Sequence, residues 1–115
     1  MSQEQAAPLL KVLVERRALW AIVRLSGVLD CQSHPGLADR LSSLLTEMDP
    51  PRICVDLGGL NFLDSSGLAC VVMAWRVAGE RGGALVLLRP AGEVARVLSL
   101  FGLAAIVPVV NELPA

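Results

Sequence analysis

The sequence predicts one α/β domain, a mixed and mostly parallel sheet of about five strands that opens with a hairpin and is covered by three or four helices. Three observations predict it. Two short apolar runs open the chain close together, as the strands of a hairpin do. The runs Arg52–Leu57 and Ala84–Leu88 are almost continuously apolar, the pattern of strands buried on both faces. Between and after them lie segments whose apolar residues recur at helical spacing. Doubly buried strands that alternate with helices require parallel neighbours joined by right-handed crossovers. With 115 residues the chain suffices for one domain, and its 54% hydrophobic content fills a core.

The elements follow in order. Leu9–Val14, interrupted by Lys11, reads as the first strand, and Leu19–Leu25 as the second, ending at Ser26-Gly27. Arg16-Arg17 suits the turn between them. A helix opens near Ser33, the expected N-cap, with Pro35 tolerated in the first turn because the donor it lacks has no partner there. Leu37, Leu41, Leu44, Leu45 and Met48 form its apolar stripe, and Asp49-Pro50-Pro51 stops it. Arg52–Leu57 is a strand bounded by Pro-Pro and Gly58-Gly59. Leu60–Leu63 leads on to Asp64-Ser65-Ser66-Gly67, where a second helix begins with Leu68, Val71, Val72, Trp75 and Ala78 on one face. Gly82-Gly83 ends that segment and Ala84–Leu88 is the next strand. Pro90 and Gly92 precede a third helix with Val94, Val97, Leu98 and Phe101 in a stripe and Gly102 at its C-cap. Leu103–Val110 is expected as the last strand. Residues 9–111 form the domain, 1–8 a flexible leading segment and 112–115 a short tail.

Composition restricts the function. Ten basic and eleven acidic residues give a net charge of −1, so nothing attracts a phosphate backbone; two Trp, two Phe and no Tyr offer few platforms for base stacking. Direct nucleic-acid binding is therefore not expected. No apolar run reaches the roughly 18 residues of a membrane span. The first residues lack a basic start followed by an apolar run, so they do not read as a secretory signal. Cys31, Cys54 and Cys70 are odd in number and form no Cys-x-x-Cys pair; Cys54 and Cys70 read as small core residues, and a reducing cytoplasm is the expected compartment. With one His and scattered Cys no metal site is expected, and without a P-loop or Gly-x-Gly-x-x-Gly motif no cofactor is.

The chemistry concentrates in Val55-Asp56-Leu57-Gly58-Gly59-Leu60-Asn61-Phe62-Leu63-Asp64-Ser65-Ser66-Gly67-Leu68. A helix start leaves backbone N–H groups unpaired, and one of Asp64, Ser65 or Ser66 is needed simply to cap it. Three such residues in a row exceed that need. They also lie past the C-terminal end of a parallel strand, where open α/β sheets place functional groups. A serine hydroxyl there can accept a phosphoryl group, and the resulting anion sits at a helix N-terminus that tolerates it.

This segment resembles the STAS domains, named for sulfate transporters and anti-sigma factor antagonists. In the antagonist branch a hydrophobic–Asp/Asn–Leu strand leads to Phe–hydrophobic–Asp–Ser–Ser–Gly–Leu, here Val55-Asp56-Leu57 and then Phe62-Leu63-Asp64-Ser65-Ser66-Gly67-Leu68. The branch's Gly–Glu–hydrophobic–Asp is similar to Gly27-Val28-Leu29-Asp30, with Val28 in place of Glu. Gly82-Gly83, Pro90 and Gly102-Leu103 also stand at matching places, so the resemblance runs from about Leu10 to Val110. It implies that Ser65, rather than Ser66, is phosphorylated by an anti-sigma factor that is also an ATP-dependent serine kinase. The unphosphorylated protein binds that anti-sigma factor and frees a sigma factor; the phosphorylated protein lets go until a phosphatase restores it. Asp30, Asp64, Ser65, Ser66 and Gly67 are the implied partner-binding residues. A cytoplasmic monomer or weak dimer, with no membrane or nucleic-acid contact of its own, fits this role.

Two other readings share the residues. A small serine hydrolase would combine His34 with Ser65 or Ser66 and with Asp30 or Asp64, but Gly-x-Ser-x-Gly is absent, and the protein is not expected to be an enzyme. A non-switching STAS module, a scaffold of a signalling particle or a partner of a lipid transporter, would have the same fold.

Overall fold

The computed structural model describes residues 9–114; the expected flexible segment 1–8 lies outside them. The order is β1 (Leu10–Arg17), β2 (Trp20–Leu29), α1 (His34–Glu47), β3 (Arg52–Leu63), α2 (Ser65–Glu80), β4 (Ala84–Leu88), α3 (Gly92–Leu100), a 3-10 turn (Leu103–Ala105) and β5 (Val109–Val110). The strands form one sheet in the order β1-β2-β3-β4-β5. β1 pairs antiparallel with β2, and every later pair is parallel. The α/β class, the opening hairpin and the mixed sheet are as the sequence predicts.

The sheet's two faces differ. Ala21, Val23, Leu25, Ile53, Val55, Leu85 and Leu87 point to one side, where they pack in a single core with Leu37, Leu41 and Leu44 of α1, Leu68, Val71 and Ala74 of α2, and Val94 and Leu98 of α3. On the opposite side a smaller cluster of Ile22, Cys54 and Leu88 is covered in part by Trp20, Val86, Val110 and Leu113. Trp20 therefore faces away from the main core. Beside that cluster a chain of charges crosses the strands. Arg24 Nη2 meets Glu15 Oε1 at 3.0 Å, Arg24 Nη1 meets Asp56 Oδ2 at 2.9 Å, and Arg89 Nη2 approaches the same oxygen at 3.5 Å. Asp56 Oδ1 accepts the Gly58 N–H at 2.9 Å. The carboxylate in the middle of the buried strand is thus satisfied on both oxygens, as a buried charge must be.

Four expectations are corrected. The hairpin turn is Ala18-Leu19, with Ala18 at φ 52°, and Arg16 and Arg17 remain in β1. β3 does not stop at Gly58-Gly59 but continues to Leu63, because β2 also runs on to Leu29 and pairs with it; two register shifts absorb the extra residues of β3. Phe101 is 58% exposed rather than part of the α3 stripe, since α3 ends at Leu100 and the chain turns there. The expected strand Leu103–Val110 is a 3-10 turn followed by only two strand residues: Leu103 and Val107 bury in the core, and Pro108 has no N–H to extend the ladder.

Candidate functional site

The site forms where β2 and β3 end side by side. Gly27 lies at φ 98° within β2, and a Cβ there would stand 2.1 Å from the Leu9 carbonyl oxygen, so only glycine fits this bulged crossing. β2 then ends at Leu29, and Asp30 turns the chain into α1. The Asp30 carboxylate accepts the Gln32 and Ser33 N–H groups, each at 3.0 Å, and the Ser33 hydroxyl at 3.1 Å. The Ser33 hydroxyl also lies 2.8 Å from the Val28 carbonyl. Hydrogen bonding, first from the Ser33 N–H, holds the Asp30 carboxyl below the usual aspartate range. Ser33 occupies the N-cap position as expected but makes no capping bond to α1; its hydroxyl belongs to the Asp30 turn.

β3 delivers the second half. Its last register shift, between the pairs Gly27–Leu60 and Val28–Phe62, makes Asn61 the extra residue. That residue breaks the alternation, so Leu60 and Leu63 are buried while Phe62 is 44% exposed beside Val28. The Asp64 N–H donates to the Leu29 carbonyl at 3.1 Å and ties the two strand ends together. Asp64 is the N-cap of α2, and its Oδ1 accepts the Gly67 N–H at 3.0 Å. Gly67 is buried beneath the helix start; a Cβ there would lie 2.5 Å from Leu29 Cγ and 3.0 Å from Leu63 Cδ1.

The cap therefore belongs to Asp64, and the serines are released from it. Ser65 is the first residue of α2 and exposed; Ser66 is half-buried. Ser66 and His34 line one end of a groove between α1 and α2, with a cavity of about 480 Å³, whose walls include Leu41, Leu45, Cys70 and Met73. His34 Nδ1 is buried without a hydrogen-bond partner among the described residues. No carboxylate orients the imidazole through that nitrogen, and Asp30 and Asp64 are engaged with backbone N–H groups. The Ser–His–Asp arrangement of a hydrolase is not assembled.

The structure thus brings Asp30, Asp64, Ser65, Ser66 and Gly67 to one end of the sheet. Gly67 serves from beneath, by packing. Phe62 and Val28 belong to the motifs that carry the resemblance but not to the implied partner-binding residues; the structure sets them side by side, Phe62 exposed and Val28 half-buried. Simple alternation from Leu60 would bury Phe62, and nothing in the sequence marks the bulge at Asn61.

An α/β domain with an opening hairpin and a strand–Asp–Ser–Ser–Gly–helix junction is the architecture of a STAS domain. The chain belongs to that family: a family profile described as "Mlab, STAS domain" matches residues 14–109. Among known proteins it is similar to an anti-sigma F factor antagonist from Paenibacillus polymyxa, 29% identical over 103 residues that cover 90% of this chain and 88% of the relative. Its fold matches an anti-sigma factor antagonist from Mycobacterium paratuberculosis with a TM-score of 0.83, at 24% identity and covering 96% and 92% of the two chains. It also matches SpoIIAA, an anti-sigma factor antagonist. The unphosphorylated form gives a TM-score of 0.73 at 23% identity, covering 89% and 90% of the two chains. The phosphorylated form, from Bacillus, gives 0.68 at 23% identity, covering 89% and 93%.

Proposed function

We propose that this protein is an anti-sigma factor antagonist that exchanges partners according to the phosphorylation state of Ser65. One observation carries the reading. Ser65 exposes its hydroxyl at the first position of α2 while Asp64 alone performs the capping that the helix needs. The hydroxyl is thereby open to a kinase and later to a phosphatase, and its modification removes no hydrogen bond found among the described residues.

The electrostatics give the switch its direction. A phosphoryl group adds about −1.5 to −2 charges and meets the unpaired N–H groups and positive end of α2, so the fold tolerates it. The cost falls on the interface. Asp64 and the carboxylate of the Asp30 turn already make this end of the domain acidic, and an anti-sigma factor that docks against a neutral serine meets a further dianion. Like-charge juxtaposition costs several kcal/mol, and about 4 kcal/mol is a thousandfold in affinity. Ser66, Val28 and Phe62 extend the docking surface around Ser65. The kinase is the ATP-binding anti-sigma factor itself, in the cytoplasm, and the domain binds it without contacting nucleic acid or membrane.

The test is mass spectrometry of the protein after incubation with ATP and candidate anti-sigma kinases, with Ser65→Ala as control. A single phosphate lost in Ser65→Ala supports the reading. Its placement on Ser66 would reassign the switch, and capture of a transporter ATPase in place of an anti-sigma kinase would favour the non-switching adaptor. Ser65→Asp should keep the melting temperature while losing the anti-sigma factor; failure of that variant to fold contradicts the proposal.

A further inference from the structure

The outer edge of β1 carries a self-complementary pattern. The Val28 N–H donates to the Leu9 carbonyl at 2.7 Å, so the odd-numbered residues of this regular strand direct their backbone groups at β2. Leu10, Val12, Val14 and Arg16 then direct theirs outward. Among the described residues one bond touches that edge, from Arg40 Nη2 to the Val12 carbonyl at 3.4 Å. Leu13 is 54% exposed, and Lys11 has no ion pair among the described residues. The register places Lys11, Leu13 and Glu15 on the face that bears Arg24 and Asp56, and Val12 and Val14 on the helix side.

Edge strands are commonly guarded by charge, and here the arrangement of the charges favours one partner. An antiparallel pairing of two β1 edges about a twofold axis must join outward-facing residues to one another. A centre on any residue satisfies this, and Val12, Leu13 and Val14 are the central ones that keep most of the strand paired. Centred on Val14, it sets Lys11 against Arg17; centred on Val12, it sets Lys11 against Leu13 and Leu9 against Glu15. Centred on Leu13, it joins Val12 to Val14 of the other copy by hydrogen bonds, places Lys11 opposite Glu15 twice, and stacks the two exposed Leu13 side chains on the axis. Of these, only the last pairs opposite charges and stacks the exposed leucine on its own copy, with Leu9 left beside Arg17 at the ends.

We propose that two copies of this chain associate through their β1 edges in the Leu13-centred antiparallel register, forming a continuous ten-stranded sheet with five strands from each copy. The arrangement closes as a twofold dimer. The opposite edge, β5, has two residues and offers no template for further growth. The weak Arg40 contact gives way to main-chain bonds. The phosphorylatable end of the domain takes no part, so this association stands independently of the proposed switch.

Sedimentation velocity of the full chain across a range of concentrations tests it. The expected result is a reversible shift from one chain mass to two. Lys11→Glu replaces two attractive cross-strand pairs with two repulsive ones and should weaken the dimer by about tenfold or more, with an unchanged melting temperature showing that the exposed substitution leaves the fold intact. In a Cys31→Ser background with oxidised glutathione as oxidant, Leu13→Cys should cross-link between copies about tenfold faster than Leu19→Cys, although Leu19 is the more exposed of the two, because residues facing across a non-hydrogen-bonded antiparallel pair lie within disulfide reach. A single-chain mass at every concentration overturns the proposal. So does equal cross-linking of the two cysteine variants, or a dimer indifferent to Lys11→Glu.

Discussion

The Asp64 carboxylate accepts the backbone N–H of Gly67 at 3.0 Å, and this bond separates the folding of α2 from the chemistry proposed for its first residue. Of the two acidic residues implicated at the site, Asp64 closes a helix and Asp30 closes a turn; both are occupied by backbone donors. Replacing Asp64 with Ala should therefore cost stability, by about 1 kcal/mol, the usual worth of an N-cap. Asp64→Asn should recover most of it. Urea unfolding followed by circular dichroism distinguishes the two, and an unaffected Asp64→Ala would mean that a neighbouring serine had taken over the cap.

Gly67 should resist enlargement. A methyl group there would press on Leu29 Cγ at 2.5 Å and on Leu63 Cδ1 at 3.0 Å, and overpacking of this kind costs about 1–3 kcal/mol. Adding Leu29→Ala to Gly67→Ala should make the combined loss smaller than the sum of the separate losses. Strict additivity in a double-mutant cycle would show that the two side chains do not compete for the same space.

Stability should fall on the acid side, and Asp30 contributes to the fall. Its folded pKa lies below the ordinary value because the Ser33 N–H, the Ser33 hydroxyl and the Gln32 N–H hydrogen-bond its charged form. In the acid window the unfolded chain binds the proton more readily, so stability rises with pH. The contribution is complete above the unfolded aspartate pKa of about 3.9 and disappears as pH falls through the folded value. Glu15 acts in the same direction, chiefly through its hydrogen bond to Arg24. Thermal melts from neutral to strongly acid pH should show a shallower acid decline for Asp30→Ala than for the parent protein. Parallel declines would remove Asp30 from the account.

The three cysteines should differ in reactivity. Cys31 is exposed, Cys70 half-buried and Cys54 buried. Burial, reinforced by the charge of Asp56, pushes the Cys54 thiol up to about 11, so little thiolate exists near neutral pH. An aromatic disulfide reagent should titrate Cys31 at once in the native protein, Cys70 more slowly, and Cys54 only on unfolding. Rapid native modification of Cys54 would mean that its cover of Trp20 and Leu113 opens readily.

The helices were legible because their signals are local. Leu37, Leu41 and Leu44 repeat at helical spacing and are buried, and Asp49-Pro50-Pro51 ends α1 where a proline pair must. The Asp64–Gly67 junction was legible for the same reason, although which of its three polar residues supplies the cap depends on a backbone geometry that composition does not encode. What the sequence concealed was set by neighbours. β3 crosses Gly58-Gly59 because β2 lies alongside it, and a Cβ on Gly59 would come within 2.9 Å of the Leu25 carbonyl oxygen. Phe62 turns outward because Asn61 is spare in the pairing with β2. The span Leu103–Val110 has the residues of a strand but little strand to pair with, and it folds into a turn.

The unequal lengths of β3 and β4 have a dynamic consequence. β4 accompanies β3 only as far as Asp56; from Gly59 to Leu63 the sole strand partner of β3 among the described residues is β2. The segment that leads to the serines is therefore two-stranded beyond the Arg24–Asp56 ion pair, held otherwise by the packing of Leu29, Leu60 and Leu63 in the core. Its amide protons should exchange with solvent sooner than those of Ile53–Val55, which are flanked on both sides. Removing that ion pair, as Arg24→Met does, should loosen the segment while leaving the five-stranded body folded, so the readiness of the site to meet a partner is set some distance from the serines themselves.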